Sequence, residues 1–492
     1  MKQSIPLLAC LAVQCAAAPA AEQIVTLGDS LTFAYEAEFC FSQPITGFGV
    51  VGDGFPLTVR NWIEILSDPA YRGSHFELGT RDSITVSHPF NIDPPFTKYF
   101  RQAHNWAIPG LKVDGLRRFL TGEATFRDLL DDDPSFTVID QLFDNSDYTN
   151  ADFALSDLQS QIQNTAEKMV IFVGGNDIRE VCSTIYNGGS AGTFVADFMA
   201  DMVAILNIVQ GLNPNLKIVL VNVPHVGITP KIRQENSPLN LAKVENVAAV
   251  LRDLNNQLAA LATSRNIGYA DVYTPTVHMA NGSTYPLVIH GIICGNASNA
   301  NGGQGNVWLG KGTTTDLSDD FHPNTNAQAL IANEIIHAFN RAYQTGIAPL
   351  TATEILGGLM ARTTTDIDMT FTTWHDNFFK PAVSAPAAGA ADDSDGDGIN
   401  AGTEFALGLN PRLRDAEHVR HQLTGGMLEL SYPLRLTTST RFTLMPEAAT
   451  DFNVGFAPFG PAPSPGPDGL ARAAFPAATP KAFLRLKTTI LP

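Results

Sequence analysis

The sequence predicts an α/β protein: a doubly wound, three-layer parallel sheet, followed by a small β module at the C-terminus. Three observations carry this. Ile24-Val25-Thr26-Leu27 is a short apolar run that stops at Gly28-Asp29-Ser30, as a core strand does when it delivers a small polar residue to its carboxyl edge. Met169 to Val173 and Lys217 to Val223 are apolar on both faces, as central parallel strands are. Between and after them lie long periodic segments at helical spacing, Thr193 to Leu212, Leu241 to Ser264 and Thr325 to Tyr343. Strand and helix alternating in this rhythm give a parallel sheet covered on both faces.

The first residues read as a targeting segment, 1–21. Lys2 supplies positive charge, Ile5 to Val13 an apolar core, and Ala16 to Ala21 small residues suited to a signal peptidase. The apolar run is too short to span a bilayer. Cys10 and Cys15 raise lipidation as an alternative, but Cys10 lies very early and Cys15 follows the bulky Gln14. No later stretch reads as long enough to anchor the chain, so secretion, extracellular or periplasmic, is expected.

A hydrolytic domain is expected over 22–346. After the first strand, Phe33 to Phe100 is irregular and rich in Gly, Pro and aromatics, with one helix expected over Val59 to Leu66. So long a connection is expected to wall a cleft. Ala103 to Ile108 reads as a short strand that breaks at Pro109-Gly110. Leu155 to Lys168 reads as a helix, Ile267 to Val272 as a weaker strand, and Gly291 to Thr315 as a Gly/Asn-rich loop. Asn324 or Thr325 is expected to cap the last helix. Residues 347–391 read as linker, ending in the Ala/Pro-rich Pro381 to Ala391. A loop element, 392–411, follows. In 412–492 alternating runs such as Met427 to Tyr432, Arg441 to Leu444 and Ala482 to Lys487 are separated by Pro/Gly turns and predict antiparallel strands.

The 492 residues are too many for one compact core and predict two or three domains. A formal net charge of -18 argues against nucleic acid or an anionic membrane as the main partner, because both require a basic face. Beyond the targeting segment the cysteines are Cys40, Cys182 and Cys294, so at most one internal bridge forms. Cys182 with Cys294 is the favoured pair, and three buried thiols are the alternative.

The polar residues at the strand ends compose a chemical set. Ester hydrolysis by serine needs a base for the hydroxyl proton, an acid that orients the base, and N–H donors for the oxyanion. Ser30 is the hydroxyl, and His322 the base. Asp319, three residues earlier, can bind the other ring nitrogen, with Asp320 as the alternative orienter. Gly110 can present a backbone N–H without steric obstruction, Asn176 a side-chain amide, and Ser30 its own N–H at the start of a helix. Asp29 and Asp177 read as structural carboxylates that bond turn amides. His104 and His225 read as ordinary core or cleft histidines. No cluster has zinc-ligand spacing, no phosphate-binding glycine loop is present, and no cofactor is expected for catalysis.

Gly28-Asp29-Ser30-Leu31, Asn105-x-Ala107-x-x-Gly110, Gly174-x-Asn176-Asp177 and Asp319-x-x-His322-Pro323 resemble, in order, the four blocks of the SGNH/GDSL hydrolases. The resemblance covers about the first 345 residues. It implies a flavodoxin-like fold and esterase, lipase or acylhydrolase activity. It assigns Ser30 as nucleophile, Gly110 and Asn176 as oxyanion donors, and His322 with Asp319 as base and orienter. The expected substrate is a carboxylic ester, such as an acetylated carbohydrate or a lipid. An inactive domain serving carbohydrate binding or surface attachment is the alternative from another class.

One motif lies outside that set. Asp393 to Glu404 matches the calcium-loop template, with carboxylates Asp393, Asp395, Asp397 and Glu404 at its first, third, fifth and twelfth positions, Gly398 at the sixth and the Ile399 carbonyl at the seventh. Thr403 to Leu407 reads as a short exiting helix ended by Gly408. The loop resembles single dockerin or thrombospondin-type calcium loops, and a structural Ca2+ is expected.

Overall fold

The computed structural model describes residues 21–35, 60–86, 96–131, 154–235, 240–276, 287–289, 292–294, 308, 321–351, 353–359, 370–379, 389–409, 411, 419–435, 441–451, 453–460, 462–464, 466, 470–476 and 482–491. The N-terminal part is built on strands β1 (Ile24–Gly28), β4 (Lys168–Phe172), β5 (Lys217–Val221) and β6 (Gly268–Ala270), paired in that order and all parallel. The stretch 104–108 extends the sheet beyond β1. Thr26 donates to His104, Trp106 donates back to Thr26, and Ile108 donates to Gly28, a parallel ladder. β1 and β4 are buried throughout, which is why their sequences carry no alternation.

Helices α1 (Trp62–Ser67) and α7 (Thr325–Tyr343) pack on each other, and α7 also covers β5 and β6. Helix α5 (Phe194–Leu212) packs against α2 (Val113–Thr121), α3 (Leu155–Asn164) and α6 (Leu241–Ser264). Helix α4 (Gly175–Tyr186) packs on α6. Asn324 caps α7 by accepting from Asn326 and Ala327, and Asn240 caps α6 in the same way. By length and composition α5 is apolar enough to cross a membrane, contrary to the expectation that no such stretch follows the targeting segment. Its apolarity has a partner within the fold, because Phe198, Met202, Ile205, Leu206 and Val209 are buried in the core.

The stretch expected to be irregular contains order. Strands β2 (Arg81–Val86) and β3 (Phe96–Gln102) form an antiparallel pair with a register shift at Asp82 and Ser83. The shift explains why no clean alternation marks β2 in the sequence.

Within 347–391, the described residues up to Leu359 and the helix at Phe371–Phe379 pack where a linker is expected. Ile347, Leu350, Ile355 and Leu359 are buried in the main core. Asn340 and Asn333 of α7 fix this return by bonding the backbone of Ile347 and Leu350. A helix at Phe371–Phe379 then buries Trp374 against Phe405. Helix α8 (Ala401–Leu407) carries Phe405 and ends at Gly408 in the left-handed region. A few well-spaced apolar anchors order the described part of this region, too few to mark it by composition.

The C-terminal module is antiparallel. β7 (Arg420–Thr424), β8 (Met427–Pro433) and β10 (Leu470–Pro476) make one sheet, and β9 (Phe442–Ala449) with β11 (Phe483–Ile490) and Ala457–Pro458 another. Leu407 and Leu409 pack with Leu430, Tyr432 and Leu444 in its small core.

Candidate active site

Ser30 follows β1, at the carboxyl edge where open α/β sheets place their sites. The turn is closed by Asp29, whose carbonyl accepts from Thr32 and Phe33 and whose carboxylate accepts from the Leu31 N–H at 3.0 Å. Gly28 is required here. A Cβ would lie 2.7 Å from the Phe172 carbonyl oxygen and 2.6 Å from the Thr32 hydroxyl.

His322 comes from the other end of the domain. Its Nε2 lies 2.6 Å from Ser30 Oγ across a separation of 292 residues. The ring is held edge-on by Tyr35, centroids 6.2 Å apart, and by Phe321, 5.3 Å apart. The segment after Ser30 is bound to the helix after His322. Gln328 of α7 donates to the Tyr35 hydroxyl at 2.7 Å and accepts from the Trp62 N–H at 3.2 Å, and Thr325 accepts from Arg60. Asp319 and Asp320 lie outside the described residues.

Gly110 and Asn176 line one cavity together, and Asn176 also lines the cavity at Ser30. Gly110 has φ 75°, the left-handed region. Asn105 fixes its approach by accepting from Ala107 and donating to the Thr32 carbonyl. Asn176 sits in the first turn of α4 and donates one amide hydrogen to the Leu111 carbonyl at 3.2 Å, leaving the other. Neither the Ser30 nor the Gly110 N–H meets an acceptor among the described residues.

Two buried carboxylates underlie these donors. Burial pushes Asp29 up to about 6, against the opposing effect of the Leu31 N–H and the His322 charge. Burial pushes Asp177 up to about 7 although it accepts from the Val113 N–H, and the charges of Asp114 and Asp29 add to the rise. As expected, both bond turn amides. His225 is buried, accepts from the Gly227 N–H and is pushed down to about 4 by burial, so it is neutral at ordinary pH. His104 lies at the sheet edge, its carbonyl bonded to Thr26.

An apolar cavity of about 120 Å³ opens at Ser30. Phe172, Val226, Ile228, Trp308, Phe321 and Leu330 are among its walls, and His225 lines it. A second, more polar cavity of about 370 Å³ lies beyond Asn176 and Gly110. Its lining residues Arg118 and Arg179 fall in no motif of the first four blocks, and only their helical spacing to Gly115 and Asn176 hints at them in the sequence.

Cys182 is buried and unbridged, and burial pushes its thiol up to about 11. The expected pairing with Cys294 is therefore not formed. Its place in the hydrophobic core is that of a small apolar side chain.

In the loop after residue 389, one carboxylate oxygen from each of Asp393, Asp395 and Asp397 lies within 4.8 Å of the others. Asp393 accepts from the N–H groups of Gly396, Asp397 and Gly398, which curls the loop. Partial burial and the neighbouring charges of Asp397 and Asp393 push Asp395 up to about 6. Such crowded oxygens suit a hard cation. Glu404 is buried on α8 and is not part of that three-carboxylate group, and the Ile399 N–H is held by Asp397.

A family model described as GDSL-like Lipase/Acylhydrolase matches residues 24–335, and the chain belongs to that family. The family is one of ester hydrolases, and the described site lies wholly within the matched residues. No curated protein matches the chain. Among solved structures, the chain is similar to an extracellular lipase from Streptomyces rimosus at 13% identity, covering 65% of this chain and 100% of that one, with a TM-score of 0.32. It is similar to a GDSL-like lipase from Parabacteroides merdae at 14% identity, covering 65% and 95%, with a TM-score of 0.30. It is also similar to phospholipase A1 from Streptomyces albidoflavus at 12% identity, covering 63% and 95%, with a TM-score of 0.29.

Proposed function

We propose that this chain is a secreted serine ester hydrolase acting through an acyl-enzyme. The contact between Ser30 Oγ and His322 Nε2 at 2.6 Å carries the reading. In it, His322 takes the proton as Ser30 attacks the ester carbonyl, and Asp319 orients His322. The N–H groups of Ser30 and Gly110 and the amide of Asn176 receive the oxyanion. His322 then protonates the departing alcohol, and water, activated by the same base, releases the acid. The strand order, with 104–108 beside β1, supports a flavodoxin-like sheet under this site.

The substrate is a carboxylic ester, a lipid or an acylated carbohydrate. The apolar cavity favours an acyl chain longer than acetyl: a water-sized site needs only about 10–15 Å³ of such volume, and about 120 Å³ is present. Asp393, Asp395 and Asp397, with the Ile399 carbonyl, would hold a structural Ca2+, while Glu404, at the twelfth position of the template, stands outside that carboxylate group. Such an ion would stiffen the junction and take no part in hydrolysis.

Turnover of p-nitrophenyl esters of graded chain length tests the reading. Ser30→Ala is expected to lose kcat by several orders of magnitude with the fold intact. Near-normal turnover in that variant, or fluorophosphonate labelling that survives it, would overturn the assignment.

A further inference from the structure

The apolar cavity at Ser30 has a direction and a length. Its lining residues follow the carboxyl ends of the parallel strands in turn: Ser30 after β1, Phe172 at the end of β4, Pro224 after β5 and Val272 after β6. Neighbouring strands stand about 4.8 Å apart, so the cavity crosses about 14 Å of sheet edge. Helix α7 gives a second measure. Ala327, Leu330, Ile331 and Glu334 line the cavity at i, i+3, i+4 and i+7, one face of the helix. Those four are partly exposed, while Gln328, Ala329, Ala332 and Asn333 between them are buried. Over that face the helix rises about 10 Å.

The wall is hydrocarbon because its polar groups bond within it. The Thr276 hydroxyl donates to the Tyr273 carbonyl at 2.7 Å and accepts from the His225 backbone N–H at 2.8 Å. The Thr229 hydroxyl donates to the Val226 carbonyl at 2.9 Å, and His225 Nδ1 accepts from the Gly227 N–H at 3.2 Å. Glu334 departs from this pattern. It lies two helical turns beyond Ala327, it is partly exposed, and its carboxylate stands 3.4 Å from His337 Nδ1 on the next turn. A hydrocarbon chain that reached it would strip water from a carboxylate. That cost outweighs the gain from burying one further methylene, about 0.8 kcal/mol.

We infer that this cavity gauges the length of the acyl chain, with Ile331 lining its course and Glu334 setting its far limit, so that the preferred substrate is an ester of a medium-chain acid. A straight chain advances about 1.2 Å per bond, as an extended backbone does, so a span of about 10–14 Å takes about eight to twelve carbons. The inference rests on the esterase reading above and narrows its substrate class from esters in general to those with medium-chain acyl groups. Ile331 and Glu334 determine specificity and take no part in the bond-making steps.

The test measures kcat/KM for p-nitrophenyl esters from butyrate to palmitate, all presented in the same detergent micelles. In the wild type each added methylene is expected to raise kcat/KM about fourfold, the effect of burying it, up to a maximum at about eight to twelve carbons, with a fall at palmitate. Ile331→Trp narrows the cavity and is expected to lower the decanoate-to-butyrate ratio at least about tenfold, the loss of about two buried methylenes. Ile331→Phe makes the same test should the tryptophan variant not fold. Glu334→Leu removes the charged limit and is expected to raise the palmitate-to-octanoate ratio about tenfold. A wild-type maximum at butyrate, a rise that continues to palmitate, or ratios unchanged in the variants would overturn the inference and leave the esterase reading standing. An equal fall at every chain length would show that these residues only support the fold, and would likewise overturn it. Failure to hydrolyse any ester of the series would instead remove the esterase reading, and the inference with it.

Discussion

The carboxylate of Asp177 accepts from the backbone N–H of Val113 at 3.1 Å. One bond thus ties the loop that presents Gly110 to the helix that presents Asn176. The two oxyanion donors proposed here come from different crossovers of the sheet, and their spacing depends on that tie and on the Asn176–Leu111 bond beside it.

Asp177 should also make stability depend on pH. Its folded pKa, about 7, lies above the ordinary 3.8, so the folded state binds more protons between those values. Stability from this group is full at acid pH and is lost as pH rises through that window. Asp177→Asn, which keeps an acceptor but removes the charge, is expected to raise the melting temperature at pH 8 more than at pH 5. Melts of both proteins across that range decide it, and an equal shift at the two pH values would contradict the cause assigned.

Asn176→Ala is expected to lower kcat about 10²- to 10³-fold, as loss of one oxyanion donor does, with a smaller effect on KM. Steady-state kinetics on a short-chain aryl ester check this. A fall in KM affinity alone would mean that the amide binds substrate without meeting the developing charge.

Gly28→Ala is expected to cost about 1–3 kcal/mol, because the added methyl meets the Phe172 carbonyl and the Thr32 side chain inside van der Waals distance. Urea denaturation measures the cost. Activity should fall as well, since the shifted turn carries Ser30.

Trp374→Ala is expected to destabilise the junction between the hydrolytic domain and the C-terminal module by about 3–5 kcal/mol, the range for a deleted buried aromatic. Limited proteolysis between residues 371 and 409 should quicken, while ester hydrolysis stays close to wild type.

Chelation is expected to lower the melting temperature of the C-terminal part and to leave ester hydrolysis unchanged. Calcium bound to the folded loop alone stabilises it by mass action. Calorimetry with and without EGTA, repeated on Asp395→Asn, tests the claim. An identical melt in all three would remove it.

Much of the site was legible in the residues. Ser30, Gly110 and Asn176 each follow a strand whose apolar run ends abruptly, and strand ends of a parallel sheet converge at one edge. His322 before a capped helix followed the same logic. What the chain alone left hidden are features without periodicity. The bulged pair β2 and β3 breaks alternation, and the returns at Ile347 to Leu359 and at Trp374 rest on a few spaced anchors. The separation of Cys182 from any bridge also depends on packing.

The sequence by itself determined the sheet, the turn at Gly28-Asp29-Ser30 and which side chains are the candidates for the chemistry. These depend on local chemistry: apolar runs, glycine where a side chain would clash, and small polar residues at strand ends. Only the tertiary structure decided that Ser30 and His322 meet at 2.6 Å, that Asp177 spans to Val113, and that Asn176 divides an apolar cavity from one lined by Arg118 and Arg179. Those relations join residues tens to hundreds of positions apart. They follow from how the layers pack, and no short window of sequence contains them.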